Sequence, residues 1–415
     1  MENQSKLRKI LSILILGVAG GGIYLIPYIR YVFYDWQIAA MGITNAQLGF
    51  LTTMYTIGNV ILYIPGGIVS DKFSTKTCMM ISLLSTTILT FLFSLKVDSY
   101  ALALVVWLLF AFTTTFLFWC SLMKTIRLIG TEEEQGFLFG LYYMGNGLTG
   151  AITNAAAIRL SELGDTVTAK FQIAVWVYAG ITLIGFLLIW LFLKVDSTGT
   201  DLKSNEFEFK QVGQLLKNPI VWIFSIIVFT GYAVYSSTSY FTPYLTDVVG
   251  ISAEDSGYLS IIRQFVFYIL SPVSGIIAVR VVKSTSKWFM VLFGVLAALF
   301  VGVMFIPSAV SSGFVSLYTL LPGLFGLALY GIVFSVANEA RIPAAVMGTA
   351  VGIASIIGYA PDFFMATMFG SWLDAFGSAG YNYIFTFLAA TAVVGLVASG
   401  IIYTRLKKSH NSAKI

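Results

Sequence analysis

The sequence predicts an all-α integral membrane protein: twelve transmembrane helices in two pseudo-symmetric six-helix bundles. Three observations predict it. First, 58% of the 415 residues are hydrophobic and only 10% are charged, with a mean hydropathy of +0.88, whereas soluble domains run near ~25% charged. Second, apolar runs long enough to cross a ~30 Å hydrocarbon core recur along the whole chain. Third, the longest polar segment, 194–218, divides those runs six and six. The expected organisation is an N-terminal bundle 1–193, a cytoplasmic linker 194–218 and a C-terminal bundle 219–415.

The spans read in order as 10–34, 45–70, 77–95, 99–122, 136–158 and 171–193, then 219–246, 255–279, 287–306, 313–336, 344–370 and 381–404. The first follows Lys6, Arg8 and Lys9, which resemble the basic leader of a signal peptide. Its apolar run continues to about Tyr34, too long for a leader, so it is expected to stay as a span. Lysine and arginine then set the orientation. With a cytoplasmic N-terminus, 19 of the 24 basic residues fall in cytoplasmic segments. Arg30, Lys96, Arg159 and Lys170 fall outside, and Arg263 lies within a span. Both termini are therefore expected in the cytoplasm, and the net charge of +5 reflects this bias rather than nucleic-acid binding. Cys78 and Cys120 lack metal-ligand spacing, and His410, the one histidine, is in the tail. No metal, cofactor or catalytic site is expected.

The halves share a template. Shifted by 208 residues, Gly42, Gly49, Gly67, Gly140 and Gly150 fall on Gly250, Gly257, Gly275, Gly348 and Gly358. TNAQLGFL at 44–51 lies over SAEDSGYL at 252–259. Span two thus maps on span eight, and span five on span eleven.

Between spans two and three runs GGIVSDKFSTK, 66–76. It resembles the loop signature of the major facilitator superfamily in Gly67, Asp71, Lys72 and Lys76, departing at Ser74 and Thr75. The second copy, GIIAVRVVK at 275–283, keeps Gly275, Arg280 and Lys283 but has Val279 in the acidic place. The resemblance implies gating roles for Gly67, Asp71, Lys72 and Arg280, with the glycine permitting close helix packing. EQGFLFG (134–140), EARIPAAVMGTAVGIASIIGYAP (339–361) and GSWLDAFGSAGYNYIF (370–385) are similar to bacterial inner-membrane transporters of the YihN type. This likeness covers nearly the whole chain. It implies the major facilitator fold and a plasma-membrane transporter of the bacterial inner membrane, with one cavity between the bundles. WLLFAFTTTFLFWC (107–120) lacks the arginine motif of proton-coupled drug exporters, and GLYYMGNGLTG (140–150) lacks the exporters' Gly-Pro pair. Drug efflux is disfavoured accordingly.

Arg263 lies inside YLSIIRQFVFYIL, 258–270, where a charge costs about 2.5–3.5 kcal/mol on insertion scales. At ~100° per residue, Ser256, Ser260, Phe267, Ser271 and Ser274 fall within about 80° of it, a polar stripe unsuited to lipid. Span two presents Thr52, Tyr55, Asn59 and Tyr63 on the matching face, with Tyr55 the counterpart of Arg263. Span five presents Tyr143, Asn146, Gly147, Gly150 and Asn154; span eleven presents Ser355, Tyr359 and Asp362; span seven adds Tyr232 and Tyr235. Such residues also cement helix contacts without touching solute. Arg30, near the outer end of span one, could equally snorkel to the interface.

The expected function is secondary active transport of a small polar organic anion: a sugar acid, carboxylate, or phosphate- or sulfonate-bearing metabolite. Arg263 and Arg30 would bind its charge. Tyr55, Asn59, Tyr143, Asn146, Tyr232, Tyr235, Ser260 and Tyr359 would bind its polar groups, with Asp362 a protonatable partner. The coupling species is a proton or a counter-transported anion, and the protein is expected to act as a monomer. The rival reading pairs Arg263 with Asp362 structurally, leaving a neutral or cationic solute. A non-transporting sensor is disfavoured by short loops, and an enzyme by the lack of a catalytic constellation.

Overall fold

A computed structural model describes residues 6–130, 134–194, 215–307, 309–340 and 347–412. Most of the expected linker lies outside the described residues. All regular elements among the described residues are helical. Among the described residues, eight helical stretches are both long and apolar enough to cross a membrane. One of them, Ala350–Arg405, spans 56 residues and contains parts of three helices, 347–358, 361–376 and 380–412. Helices 45–72 and 135–161 are 28 and 27 residues long, and their glycines and polar residues dilute their hydropathy.

The chain forms two compact units. The first holds Met1–Thr200 together with Ser252–Val266 and Ala366–Ser371; the second holds the rest. In the first unit, α1 (Lys6–Ile23) packs against α7 (Gln135–Ser161) and α8 (Val167–Phe192). Glycine makes the α1–α7 crossing possible. A Cβ on Gly17 would lie 3.0 Å from Gly145 Cα, and one on Gly21 would lie 2.6 Å from the Asn146 carbonyl oxygen. α2 (Arg30–Met41) continues span one and packs on α8. α3 (Asn45–Lys72) packs on α5 (Tyr100–Ala111) and on a π-helical segment, Phe112–Trp119, that leads into α6 (Cys120–Ile129). α4 (Thr75–Ser94) packs on α8.

In the second unit, α9 (Pro219–Ser236) is central, packing on three helices. These are α13 (Ser312–Tyr330), α14 (Met347–Gly358) and α16 (Gly380–Ser412). α12 (Thr285–Val303) packs on α13 and α16. Spans eight and eleven are each divided. Span eight comprises α10 (Ala253–Gln264), a 3₁₀ stretch Val266–Leu270 and α11 (Ser271–Ile276). Span eleven comprises α14 and α15 (Pro361–Phe376).

The 208-residue repeat has a local physical basis. Gly42 (φ 63) and Gly250 (φ 78) both close a helix in the left-handed region, which costs glycine little. Two residues on, Thr44 caps α3 by accepting from the Gln47 N–H, and Ser252 caps α10 by accepting from the Asp255 N–H. Gly49 packs so closely on the Ala366 carbonyl that a Cβ would collide with it, whereas Gly67 has nothing within 4 Å of its Cβ position. The close packing expected of Gly67 falls instead to Gly66, whose Cβ would lie 2.8 Å from the Phe116 carbonyl oxygen.

Candidate functional site: buried charges at helix interruptions

Among the described residues, the buried charged side chains are Arg30, Arg263 and Asp362. Each stands where a span is interrupted. An interruption frees backbone groups from the helical ladder and is tolerated at membrane depth only where protein or a cavity satisfies them. Discontinuous spans form the ion and solute sites of many transporters for this reason.

In span one, α1 ends at Ile23 and turns follow to Ile29. Pro27 lacks an N–H and resists the helical ladder. Its carbonyl instead accepts from the buried Trp107 indole at 3.1 Å. Arg30 begins α2. It is 5% exposed, with its guanidinium carbon 5.2 Å from the centre of the Tyr31 ring, a cation–π distance.

Span eight breaks immediately after Arg263 and Gln264. Phe265 leaves helical geometry at φ −124°, ψ −45°. Arg263 is fully buried in the last turn of α10, where the helix dipole favours a cation. One turn earlier, Ser260 donates to the Tyr31 carbonyl at 2.5 Å. α10 packs on α2 and α7, so the Ser260–Tyr31 bond brings the Arg30 and Arg263 elements together within the first unit. Continuous helical periodicity across span eight fails beyond Gln264. Ser271 and Ser274 do not extend the Arg263 stripe; they donate to the carbonyls of Leu327 at 3.4 Å and Ala328 at 2.5 Å.

In span eleven, turns at Tyr359 and Ala360 separate α14 from α15. Pro361 opens α15, and Asp362 lies in its first turn, where a negative charge is favoured. Asp362 is 6% exposed. Its Oδ2 accepts from the Tyr232 hydroxyl at 2.5 Å.

Tyr232 belongs to a five-tyrosine cluster in the second unit. Tyr235 stacks on Tyr330 with centroids 4.5 Å apart and planes at 5°. Tyr232 meets Tyr359 edge-on at 4.8 Å. The hydroxyls pair as Tyr235 with Tyr268 at 3.1 Å and Tyr330 with Tyr359 at 3.2 Å. Of these five, the sequence reading singles out Tyr232, Tyr235 and Tyr359. Tyr268 lies on span eight beyond the break and off the Arg263 stripe, and Tyr330 lies on span ten, which the sequence reading leaves aside.

The predicted residues of spans two and five face different surroundings. Tyr55 and Asn59 are buried against the π-helical segment: Tyr55 Oη is 2.8 Å from Thr114 Oγ1, and Thr115 Oγ1 donates to Asn59 Oδ1 at 2.5 Å. Their partners, missed by sequence reasoning, are the threonines of FTTTFLFW, a polar run in an otherwise apolar span that could have flagged them. π-Helical insertions recur at functional sites. Asn146 donates to the Tyr142 hydroxyl at 3.3 Å, and Tyr143 is 42% exposed. Asn154 is fully buried and accepts from Tyr178, a bundle-packing role. Among the expected gating residues, Lys72 and Arg280 are exposed, and the Asp71 side chain lies outside the described part of the structure. Lys76 holds the end of α8 through the carbonyls of Trp190 and Leu193, at 3.0 and 2.7 Å.

Known proteins place these features in a family. The chain is 29% identical to the inner membrane protein YqcE of Escherichia coli (strain K12) over 415 residues, covering 96% of this chain and 94% of that protein. It is 26% identical to the inner membrane protein YihN of the same organism, covering 95% of each. Among solved structures, a bacterial homolog of the human lysosomal transporter Spinster, inward-facing and unoccupied, superposes with a TM-score of 0.71 at 14% identity, covering 97% of this chain and 98% of that one. The nucleoside transporter NupG superposes with a TM-score of 0.71 at 16% identity, covering 96% and 99%. These two share the fold. A family profile described as Major Facilitator Superfamily matches residues 10–366, and the chain belongs to that superfamily.

Proposed function

We propose that this chain is a secondary active transporter that moves a small polar organic anion across the plasma membrane by alternating access. Both termini would be cytoplasmic, and the protein would work as a monomer in the bilayer. One observation supports this reading above others: Arg30 and Arg263 are both buried and stand at span interruptions on elements joined by the Ser260–Tyr31 bond. Each of these guanidinium groups is costly to bury in a low-dielectric setting. A bound carboxylate, phosphate or sulfonate offsets both costs, and the guanidinium fork suits those planar or tetrahedral oxyanions. Arg30 also begins a helix, where the backbone end is itself partly positive, so both contributions favour an anion. Transport, rather than catalysis, is the activity of this reading.

A second reading is favoured by the tyrosine cluster around Asp362, whose aromatic faces and hydroxyls suit a neutral hydroxylated ring or a cation. Thermal shift of the purified protein separates the two, with D-glucuronate and glucose 6-phosphate set against glucose. The anion reading expects stabilisation by the charged sugars and loss of it in Arg263→Ala. Equal shifts for glucose and glucuronate would overturn it. Counterflow in proteoliposomes then tests movement itself: no exchange across a broad panel of carboxylates, phosphates, sulfonates and sugars would sink the transporter assignment.

A further inference from the structure

Arg30 lies between two backbone carbonyls held by side chains of other helices. Before it, from Gly22 to Tyr31, the chain bonds in steps of three rather than four. Leu25 N–H donates to the Gly22 carbonyl at 3.2 Å, Ile29 to Ile26 at 3.2 Å and Tyr31 to Tyr28 at 2.9 Å. In an α-helix the Tyr31 N–H would meet the Pro27 carbonyl; here it is spent on Tyr28. The indole N–H of Trp107, on α5, takes its place at 3.1 Å. After Arg30, the Tyr31 carbonyl accepts from Ser260 on α10 at 2.5 Å. Trp107 is 1% exposed and meets Phe93 edge-on at 5.3 Å and Phe110 at 5.7 Å. An indole N–H and a carbonyl are both costly to bury unbonded, so each satisfies the other.

The register decides where Arg30 points. Three-residue turns advance ~120° per residue and α-helical turns ~100°, so over the three steps from Pro27 to Arg30 the two differ by about 60°. That is enough to carry a side chain to a neighbouring face. In the register observed, the guanidinium carbon lies 5.2 Å from the centre of the Tyr31 ring. We propose that Trp107 is a positioning residue for the anion site: by holding the Pro27 carbonyl it locks the three-residue register of span one, and so fixes the face on which Arg30 presents its charge. In this role Trp107 acts from span four without touching solute. The task of Arg30 rests on the anion reading; the register claim rests on the bonds of span one.

The test uses the full-length protein in lipid nanodiscs. Trp107→Phe keeps an aromatic ring against Phe93 and Phe110 and removes the N–H. It is expected to weaken D-glucuronate binding about tenfold, as for one misplaced charge-assisted contact, and to have no further effect in the Arg30→Ala background. Equal weakening in both backgrounds, the mark of a general packing defect, would overturn the proposal, as would no weakening in either. A second readout needs no solute. The same proteins are treated with phenylglyoxal, an arginine reagent, and labelling is followed at each arginine by mass spectrometry. Loss of the indole leaves the Pro27 carbonyl to water, so Arg30 should label faster in Trp107→Phe while Arg263 keeps its rate. Replacing Trp107 by benzothienylalanine, which keeps the indole shape with sulfur in place of the N–H, carries both readouts should the phenylalanine variant not fold. A wild type that binds no anion would sink the anion reading alone, and the labelling ratio would still decide the register. An unchanged ratio of the Arg30 and Arg263 rates would overturn the proposal.

Discussion

Span two and span eight correspond at the 208-residue shift, yet they differ where it matters. α3 runs 28 residues without interruption, even through Pro65, and at position 55 presents a tyrosine bonded to Thr114. Its copy 208 residues later breaks at Phe265 and presents a buried arginine beside the break. Spans five and eleven repeat the contrast. α7 is unbroken through Asn154, which accepts from Tyr178. The copy breaks at Tyr359–Ala360 and carries Asp362, which accepts from Tyr232. At both pairs the first half is neutral and continuous; the second is charged and interrupted. A buried amide or phenol is satisfied by one good hydrogen bond, whereas a buried charge needs additional dipoles, a partner or a ligand. The broken helix ends supply dipoles. We read the departures from symmetry as the places where function was added to a shared scaffold.

The largest expected effect breaks the charged side of this comparison. Arg263→Ala should weaken binding of an anionic solute by about 10- to 100-fold, from the ~1.5–3 kcal/mol of a charge-assisted hydrogen bond. Arg263→Lys should fall between the two, since lysine keeps the charge and loses the fork. Tyr55→Phe, at the matching position, should leave solute affinity within about threefold. Equal losses at both positions, measured by counterflow, would erase the distinction between the halves.

Asp362 and Asn154 offer the next test. Asp362→Asn should abolish accumulation driven by a pH gradient while sparing counterflow, because exchange needs no net proton movement. Asn154→Leu should leave coupling alone and lower the unfolding temperature, since it strands the buried Tyr178 hydroxyl, at a cost of about 1–3 kcal/mol. Loss of counterflow in Asp362→Asn with the fold intact would reassign that residue to solute binding.

Smaller and purely structural is the contrast between adjacent glycines. Gly66→Ala must displace the π-helical segment at Phe116 and should cost about 1–3 kcal/mol. Gly67→Ala meets open space and should change stability by less than about 0.5 kcal/mol. Thermal unfolding of the two variants in matched detergent decides this. A transport defect in Gly67→Ala without a stability change would restore a gating role to Gly67.

How much of this was legible depended on whether the cause was local. Apolar runs, basic loops and the repeated Gly42/Gly250 caps are local, and they reveal the spans and the duplicated plan. Pro27 and the pair Gly358 and Pro361 likewise announce the interruptions of spans one and eleven, though only the structure shows that Arg30 and Asp362 occupy them. The break at Phe265 has no such mark, since Pro272 is seven residues further on. A helical wheel drawn through it therefore misplaces Ser271 and Ser274. The π-helical segment and the meeting of Tyr268 and Tyr330 with Tyr235 arise from packing between distant stretches, which a single sequence does not display.

The smallest effect concerns the surface where the two halves' helices meet within the first unit. α10 lies on α7 there, with Gly257 against Ile158 and Glu254 and Glu162 near their ends. A side-chain hydrogen bond to Glu162 pushes the Glu254 carboxyl above its ordinary value; the same bond and Arg159, at 2.6 Å, hold Glu162 below its own. The Glu254 contribution, with its folded value raised, is present in acid and is lost as pH rises through that value. The Glu162 contribution, with its value depressed, is present above the ordinary range near ~4.3 and is lost as pH falls. The shared proton therefore favours packing of α10 on α7 between those limits. Both groups are at the surface, with Lys170 and Asp255 also in range, so the effect is small and screened by salt. Glu254→Gln, which can donate at every pH, should flatten the dependence of unfolding temperature on pH just above the carboxylate range. An unchanged profile in that variant would remove the carboxyl pair from any part in holding these helices together.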